Sequence, residues 1–269
     1  MRTPPDPTKA REWYEKAAAA GNAVAMRNLG VLYANGQGVP QDQTKAREWY
    51  EKAAAAGDAG AMRNLGVLYA DGQGVAQDYP KAREWTEKAA TAGDASAMSN
   101  LGVFYANGQG VTQDYPKARE WYEKAAAAGE AGAMRNLGVF YANGQGVAQD
   151  YPKARELFKK AGDAQALGSL AWYALLAHEP ADALSAAERA LAIDPSLLWI
   201  EINRAHALMY LGRAEEARAL FLAHKDKAIL GNNKIWQQSV GADFAKLRKA
   251  GIEHQQMTEI EVALGIPKQ

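Results

Sequence analysis

Five near-identical segments, Lys9-Ala-Arg-Glu-Trp13, Lys45-Ala-Arg-Glu-Trp49, Lys81-Ala-Arg-Glu-Trp85, Lys117-Ala-Arg-Glu-Trp121 and Lys153-Ala-Arg-Glu-Leu157, begin 36 residues apart. A constant period of roughly 20–50 residues is the signature of a stacked repeat array. One such unit cannot bury its apolar face alone, so neighbouring copies must share a core. That excludes most globular architectures before any composition is considered.

Within the copy running from Asp58 to Gly93, Asp58 is placed to N-cap a helix, since its short acceptor side chain satisfies free backbone N–H groups. Ala61, Met62, Leu65, Gly66 and Tyr69 follow at helical spacing and define helix A. Asp71-Gly72-Gln73-Gly74-Val75 ends it, because its glycines tolerate positive φ. Asp78 opens helix B, and Pro80 suits the first turn, where its missing N–H would be unpaired anyway. Ala82, Trp85 and Ala89 read as the inner stripe of helix B, with Gly66 and Ala82 allowing close backbone approach and Trp85 filling the remaining space. Arg83/Glu87 and Glu84/Lys88 are i,i+4 pairs on a solvated face.

The pattern Ala-x-x-Leu-Gly-x-x-Tyr, then Gly-x-Gly-Val, then Asp-x-x-Lys-Ala-x-x-Trp-x-x-Lys-Ala-Ala-x-x-Gly resembles the Sel1-like repeat, with full copies at 22–57, 58–93 and 94–129. The helices A open at Asn22, Asp58, Asp94 and Glu130. The resemblance implies an all-α fold: an α/α right-handed superhelical solenoid of helix-turn-helix repeats that serves as an adaptor.

Both ends depart from the pattern. Asp6 to Gly21 matches a helix B with no helix A before it, leaving Ala10, Trp13 and Ala17 for a partner to cover. The expectation is a truncated array or a fragment. Helix B from Lys153 to Gly162 is expected to be about one turn short, and the Gly-x-Gly-Val loop is replaced by His178-Glu179-Pro180. The spacing then becomes 34, as in Ala171/Ala205 and Ala183/Ala217. Ala171, Ala183, Ala190 and Pro195 resemble a tetratricopeptide repeat, and Ala205, Gly212, Ala217 and Phe221 a second, weaker one. The expected organisation is therefore a Sel1-like array over 1–161, two tetratricopeptide-like units over 162–226 and a helical C-terminal cap over 227–269. Lys225 to Asn233 reads as a loop. Short helices near Ala242–Ala250 and Gln255–Leu264 supply Phe244, Leu247, Ile252, Met257, Ile260 and Leu264 to cover the last repeat.

Signals for chemistry are sparse. Lys+Arg and Asp+Glu are both 31, so no basic excess favours nucleic acid. Cysteine is absent, which removes disulfides, thiolate metal sites and thiol nucleophiles. The N-terminus lacks the apolar stretch of a secretory signal, giving a cytoplasmic expectation. The most apolar run, Leu167 to Ala177, is about half the ~20 residues of a membrane span. The repeated Gly-x-Gly lacks the third glycine and the preceding strand of a dinucleotide loop. His178, His206, His224 and His254 form no metal-ligand pattern. The reading is a non-enzymatic chain with no cofactor, no metal, no nucleic acid and no membrane span.

Registered on the tetratricopeptide template, helix A presents to a concave groove Val24, Arg27, Val31, Ala34 and Asn35; Gly60, Arg63, Val67, Ala70 and Asp71; Ser96, Ser99, Val103, Ala106 and Asn107; and Gly132, Arg135, Val139, Ala142 and Asn143. Asn28, Asn64, Asn100 and Asn136 follow the Arg or Ser of each step. Arginine pairs bidentately with carboxylates, and asparagine can bind an extended peptide backbone. The resemblance therefore implies a face that holds a protein or peptide partner, acidic for preference. The competing reading has each Asn capping or bridging within its own hairpin and each Arg solvated. An alternative function is the repeat region of a larger bacterial signalling or enzyme-regulating protein with its effector domain upstream.

Overall fold

The computed structural model describes residues 7–229 and 234–267, which fall in two compact units, 1–133 and 134–269. The Asp6 cap and Gly231-Asn232-Asn233 of the expected loop lie outside the described residues.

The first unit is a run of antiparallel helices: α1 (Pro7–Ala19), α2 (Ala23–Asn35), α3 (Gln43–Ala55), α4 (Ala59–Asp71), α5 (Tyr79–Thr91), α6 (Ala95–Asn107) and α7 (Tyr115–Ala127). The helices of a hairpin pack together, α2 with α3, α4 with α5 and α6 with α7, and each helix B packs on the next helix A, α1 on α2, α3 on α4 and α5 on α6. The caps form where the sequence places them. Asp58 accepts from Ala61 N at 2.7 Å, and Asp78 from Lys81 N at 3.0 Å, with Pro80 in the first turn of α5. The loops are pinned from inside: Gln77 Nε2 donates to Ala70 O at 2.7 Å and Gln113 Nε2 to Ala106 O at 2.7 Å.

The inner stripe of helix B differs from expectation by one position. Ala82 and Ala89 are fully buried, yet Trp85 is only half-buried. The residue facing helix A is the next one, Tyr50 in α3, Thr86 in α5 and Tyr122 in α7. It lies at i+4 from the conserved alanine and so points closer to it than the tryptophan at i+3 does. A Cβ at Gly30 would come within 2.5 Å of the Tyr50 ring, which is why that step of helix A carries glycine. The tryptophans pack instead on the clusters around helix A of their own hairpins. Trp49 packs on the cluster around Ala25 and Leu29, Trp85 on that around Ala61 and Leu65, and Trp121 on that around Ala97 and Leu101. Trp13 of α1 has no such cluster and is 70% exposed.

The second unit takes in α8 (Ala131–Asn143) from Met134 on, then α9 (Tyr151–Ala161), α10 (Ala164–Leu176), α11 (Pro180–Ile193), α12 (Leu198–Tyr210) and α13 (Ala214–Ala223). The 161/162 boundary expected from the change of spacing falls between α9 and α10, which pack together within this unit. The expected shortening of α9 is smaller than a turn: it has 11 residues against 13 in α7, and Gly162 N–H closes it on Phe158 O. The segment expected to be a loop contains a two-residue antiparallel ladder, β1 (Ala228–Ile229) with β2 (Lys234–Ile235). The first cap helix starts earlier than the sequence suggests: α14 runs Trp236–Lys249 and α15 Gln256–Leu264. Trp236 anchors it, fully buried, with its indole N–H donating to Phe221 O at 2.7 Å. Phe244, Leu247, Ile252, Met257, Ile260 and Leu264 are all buried in one cluster with Ile202, Met209 and Phe221.

Candidate helix A face

The residues expected to form a groove sit on α2, α4, α6 and α8, and their polar groups connect successive hairpins. Arg27 Nη1 lies 3.3 Å from Asp58 Oδ1, and Arg63 Nε 3.3 Å from Asp94 Oδ2. In the second unit, Arg135 Nη1 lies 3.4 Å from Asp163 Oδ1. In each case the acceptor is the N-cap of the following helix A, so one carboxylate both caps a helix and receives a guanidinium from the helix before it. The arginines are thus neither merely solvated nor unpaired. With arginine side chains 28–35% exposed, each pair contributes roughly 0.2–1 kcal/mol.

The step lacking arginine lacks its partner as well. Ser99 is buried, and the cap 31 residues later is Glu130 rather than Asp. Glu130 caps its own helix by accepting from Ala133 N.

The asparagines divide into two sets. Asn28, Asn64, Asn100 and Asn136 are half-buried. Asn64 hydrogen-bonds the Tyr50 phenol of the preceding hairpin, opposing the upward push of burial on that tyrosine's pKa. This is a bridge between hairpins, where the competing reading had one within a hairpin. Asn35, Asp71, Asn107 and Asn143 end their helices and are exposed. Asn143 Oδ1 accepts from the Tyr173 hydroxyl at 3.1 Å. Val24, in the first turn of α2, and Val67, between Asn64 and Asp71 on α4, are exposed at 50% and 39%.

Two positions escaped the sequence reading. Asn203 on α12 continues the asparagine register through the 34-residue spacing from Ser169; it is buried and donates to Gly168 O at 3.1 Å. Thr86 differs from Tyr50 and Tyr122, a difference visible on aligning the copies. Among the described residues, no group of three or more His, Asp or Glu side chains is arranged to hold a metal ion. No described helix is long and apolar enough to cross a membrane.

Capped helical hairpins joined through Arg–Asp pairs define an α-helical repeat protein. The Sel1 repeat model matches residues 1–22, 23–58, 59–94, 95–130 and 131–165, more than half of the chain, and the protein belongs to the Sel1 repeat family. Comparison with curated proteins gives no match. Among solved structures, a Sel1 repeat protein from Oxalobacter formigenes is 34% identical with a TM-score of 0.58, over 61% of this chain and 66% of that one. The protein c5321, a protective antigen of uropathogenic Escherichia coli displaying an SLR fold, is 27% identical with a TM-score of 0.65, over 96% of this chain and 64% of that one. The chain thus spans just under two thirds of the length of each. Proteins of this family are generally protein–protein interaction scaffolds and typically non-catalytic.

Proposed function

We propose that this chain is a cytoplasmic adaptor without catalytic activity that holds a segment of a protein partner against the helix A face. In the first unit the contacts would come from Arg27, Asn28, Asn35, Arg63, Asn64, Asp71, Ser99, Asn100 and Asn107; Arg135, Asn136 and Asn143 hold the same register in the second unit. The observation that carries this reading is the exposure of Val24 and Val67 among these polar residues on α2 and α4. Apolar contact area with flanking hydrogen-bonding groups is the usual make-up of a binding patch. An acidic partner is favoured through competition: its carboxylates would exchange with Asp58, Asp94 and Asp163 for the guanidiniums already held on this face.

A photo-crosslinking residue placed at Val67 tests the reading. It is expected to capture a defined partner, and Val67→Glu should release that partner while the exposed outer-face change Glu84→Lys retains it. Arg63→Ala should weaken binding more than it weakens the fold. Capture of the same partner from position 84 but not from 67 would move the interface to the outer face.

A further inference from the structure

Three of four hairpins place an aromatic ring over the glycine of helix A. Tyr50 lies over Gly30, Tyr122 over Gly102 and Phe158 over Gly138. In the hairpin of α4 and α5 that position is Thr86, 1% exposed, whose hydroxyl turns back to Ala82 O at 2.7 Å. Beside Thr86 lies a solvent-open cavity of about 220 Å³ lined by Gly66, Val67, Thr86, Asn100, Val103 and Phe104, with Asp71, Tyr79 and Gln109 adding polar groups. An apolar cavity of about 150 Å³ already accepts a benzene-sized ring. Partly exposed Val67 and Asn100 connect this one to the helix A face.

The polar partner for such a ring is also in place. One repeat earlier, the Tyr50 hydroxyl is hydrogen-bonded by Asn64. The matching residue one period on is Asn100, which lines the cavity where position 86 supplies no phenol; Tyr79 also lines it, but its hydroxyl accepts from Gln77 Nε2 at 3.2 Å. Val67, Val103 and Phe104 supply apolar lining, and Asn100 holds the register position that Asn64 holds toward the Tyr50 hydroxyl.

We propose that this cavity is a binding site for a phenol ring, supplied either by a tyrosine of the partner segment or by a small phenolic compound. The ring would lie over Gly66 between Val67 and Val103, with its hydroxyl on Asn100. The tyrosine source rests on the adaptor reading, whereas the cavity's affinity for a phenol does not.

The test is titration of the full chain with 4-methylphenol, followed by calorimetry and by backbone amide NMR shifts. Saturable one-to-one binding is expected, with the shifts centred on Gly66, Thr86 and Asn100. Toluene, lacking the hydroxyl, should bind more weakly. Thr86→Tyr carries its own ring and should bind 4-methylphenol about tenfold more weakly or not at all, while melting no lower than the parent. Thr86→Phe, which copies the residue at position 158, provides the same block should the tyrosine variant fold poorly. An acetyl-Gly-Tyr-Gly-amide peptide that competes with 4-methylphenol identifies a peptide tyrosine as a source; binding of the small phenol alone identifies a free ligand. Absence of saturable binding to the parent, or equal binding by both ring-bearing variants, overturns the site.

Discussion

The repeats around α2 to α7 and the segment from α12 to α15 solve the same burial problem by opposite means. In the repeats the fully buried residues are mostly small: Ala46, Ala53, Ala61, Ala82, Ala89 and Ala97, with a single leucine such as Leu65 or Leu101 at each step. Helices come close, contacts are short-range in sequence, and each cluster is modest. In the C-terminal segment, Trp236, Phe221, Phe244, Ile202, Met209 and Leu247 are gathered into one large cluster. A repeated interface can be made of small side chains because it recurs; a terminal surface has one opportunity to cover itself and uses large ones. The second strategy admits irregularity. His206 is fully buried between Phe221 and Phe244, at 5.3 and 5.2 Å between ring centroids, and neither of its nitrogens has a hydrogen-bond partner among the described residues.

The contrast is broken or sharpened most directly by truncating one aromatic in each region. Phe244→Ala removes a fully buried ring and is expected to cost ~3–5 kcal/mol. Trp85→Ala removes a half-buried one and should cost about half as much in urea unfolding. Equal losses would mean that the half-buried Trp85 contributes as much packing as a fully buried ring.

His206 gives the next largest effect. Burial lowers its pKa from 6.5 to about 3, so below pH 6.5 the unfolded chain binds the proton that the folded chain refuses. The stability associated with neutral His206 is complete above pH 6.5 and is lost as pH falls toward 3, by up to about 1.4 kcal/mol per pH unit. His206→Phe keeps an aromatic ring in place and should flatten the decline in urea midpoint between neutral pH and about pH 5. An unchanged slope would locate the acid sensitivity elsewhere.

The smallest effect lies within the repeats. Gly102→Ala forces a methyl against the Tyr122 ring. Overpacking costs ~1–3 kcal/mol, and better helix propensity offsets up to ~1 of that. A net loss of about 1 kcal/mol in thermal unfolding is expected. A gain would show that these helices have slack at the crossing.

Much of the fold was legible because its signals are local. The Asp caps, the Pro-initiated helices B, the glycine stops and the apolar stripe of helix A each depend on a few consecutive residues, and they appear where the period puts them. The misreadings occurred where a residue's role depends on a distant one. Trp85 reads as core from its size, and only the crossing of α4 and α5 shows that Thr86 faces inward. A helix read near Ala242–Ala250 starts at Trp236 instead, because that residue is anchored by the Phe221 carbonyl 15 residues earlier. Of the helix A face, the register of Arg27, Arg63 and Arg135 was legible, but their partners were not, since each pairs with an aspartate already used as a helix cap.

The sequence by itself determined that this protein is a repeat of α-helical hairpins, because capping, helical periodicity and a constant 36-residue spacing are properties of the chain read in order. Tertiary structure decided which carboxylate each arginine pairs with, which aromatic lies over each glycine, and that the single threonine among those rings borders a cavity. The physical reason is distance: a cap is satisfied within one turn, whereas the space between two helices is set by how closely their backbones cross, and only packing fixes that.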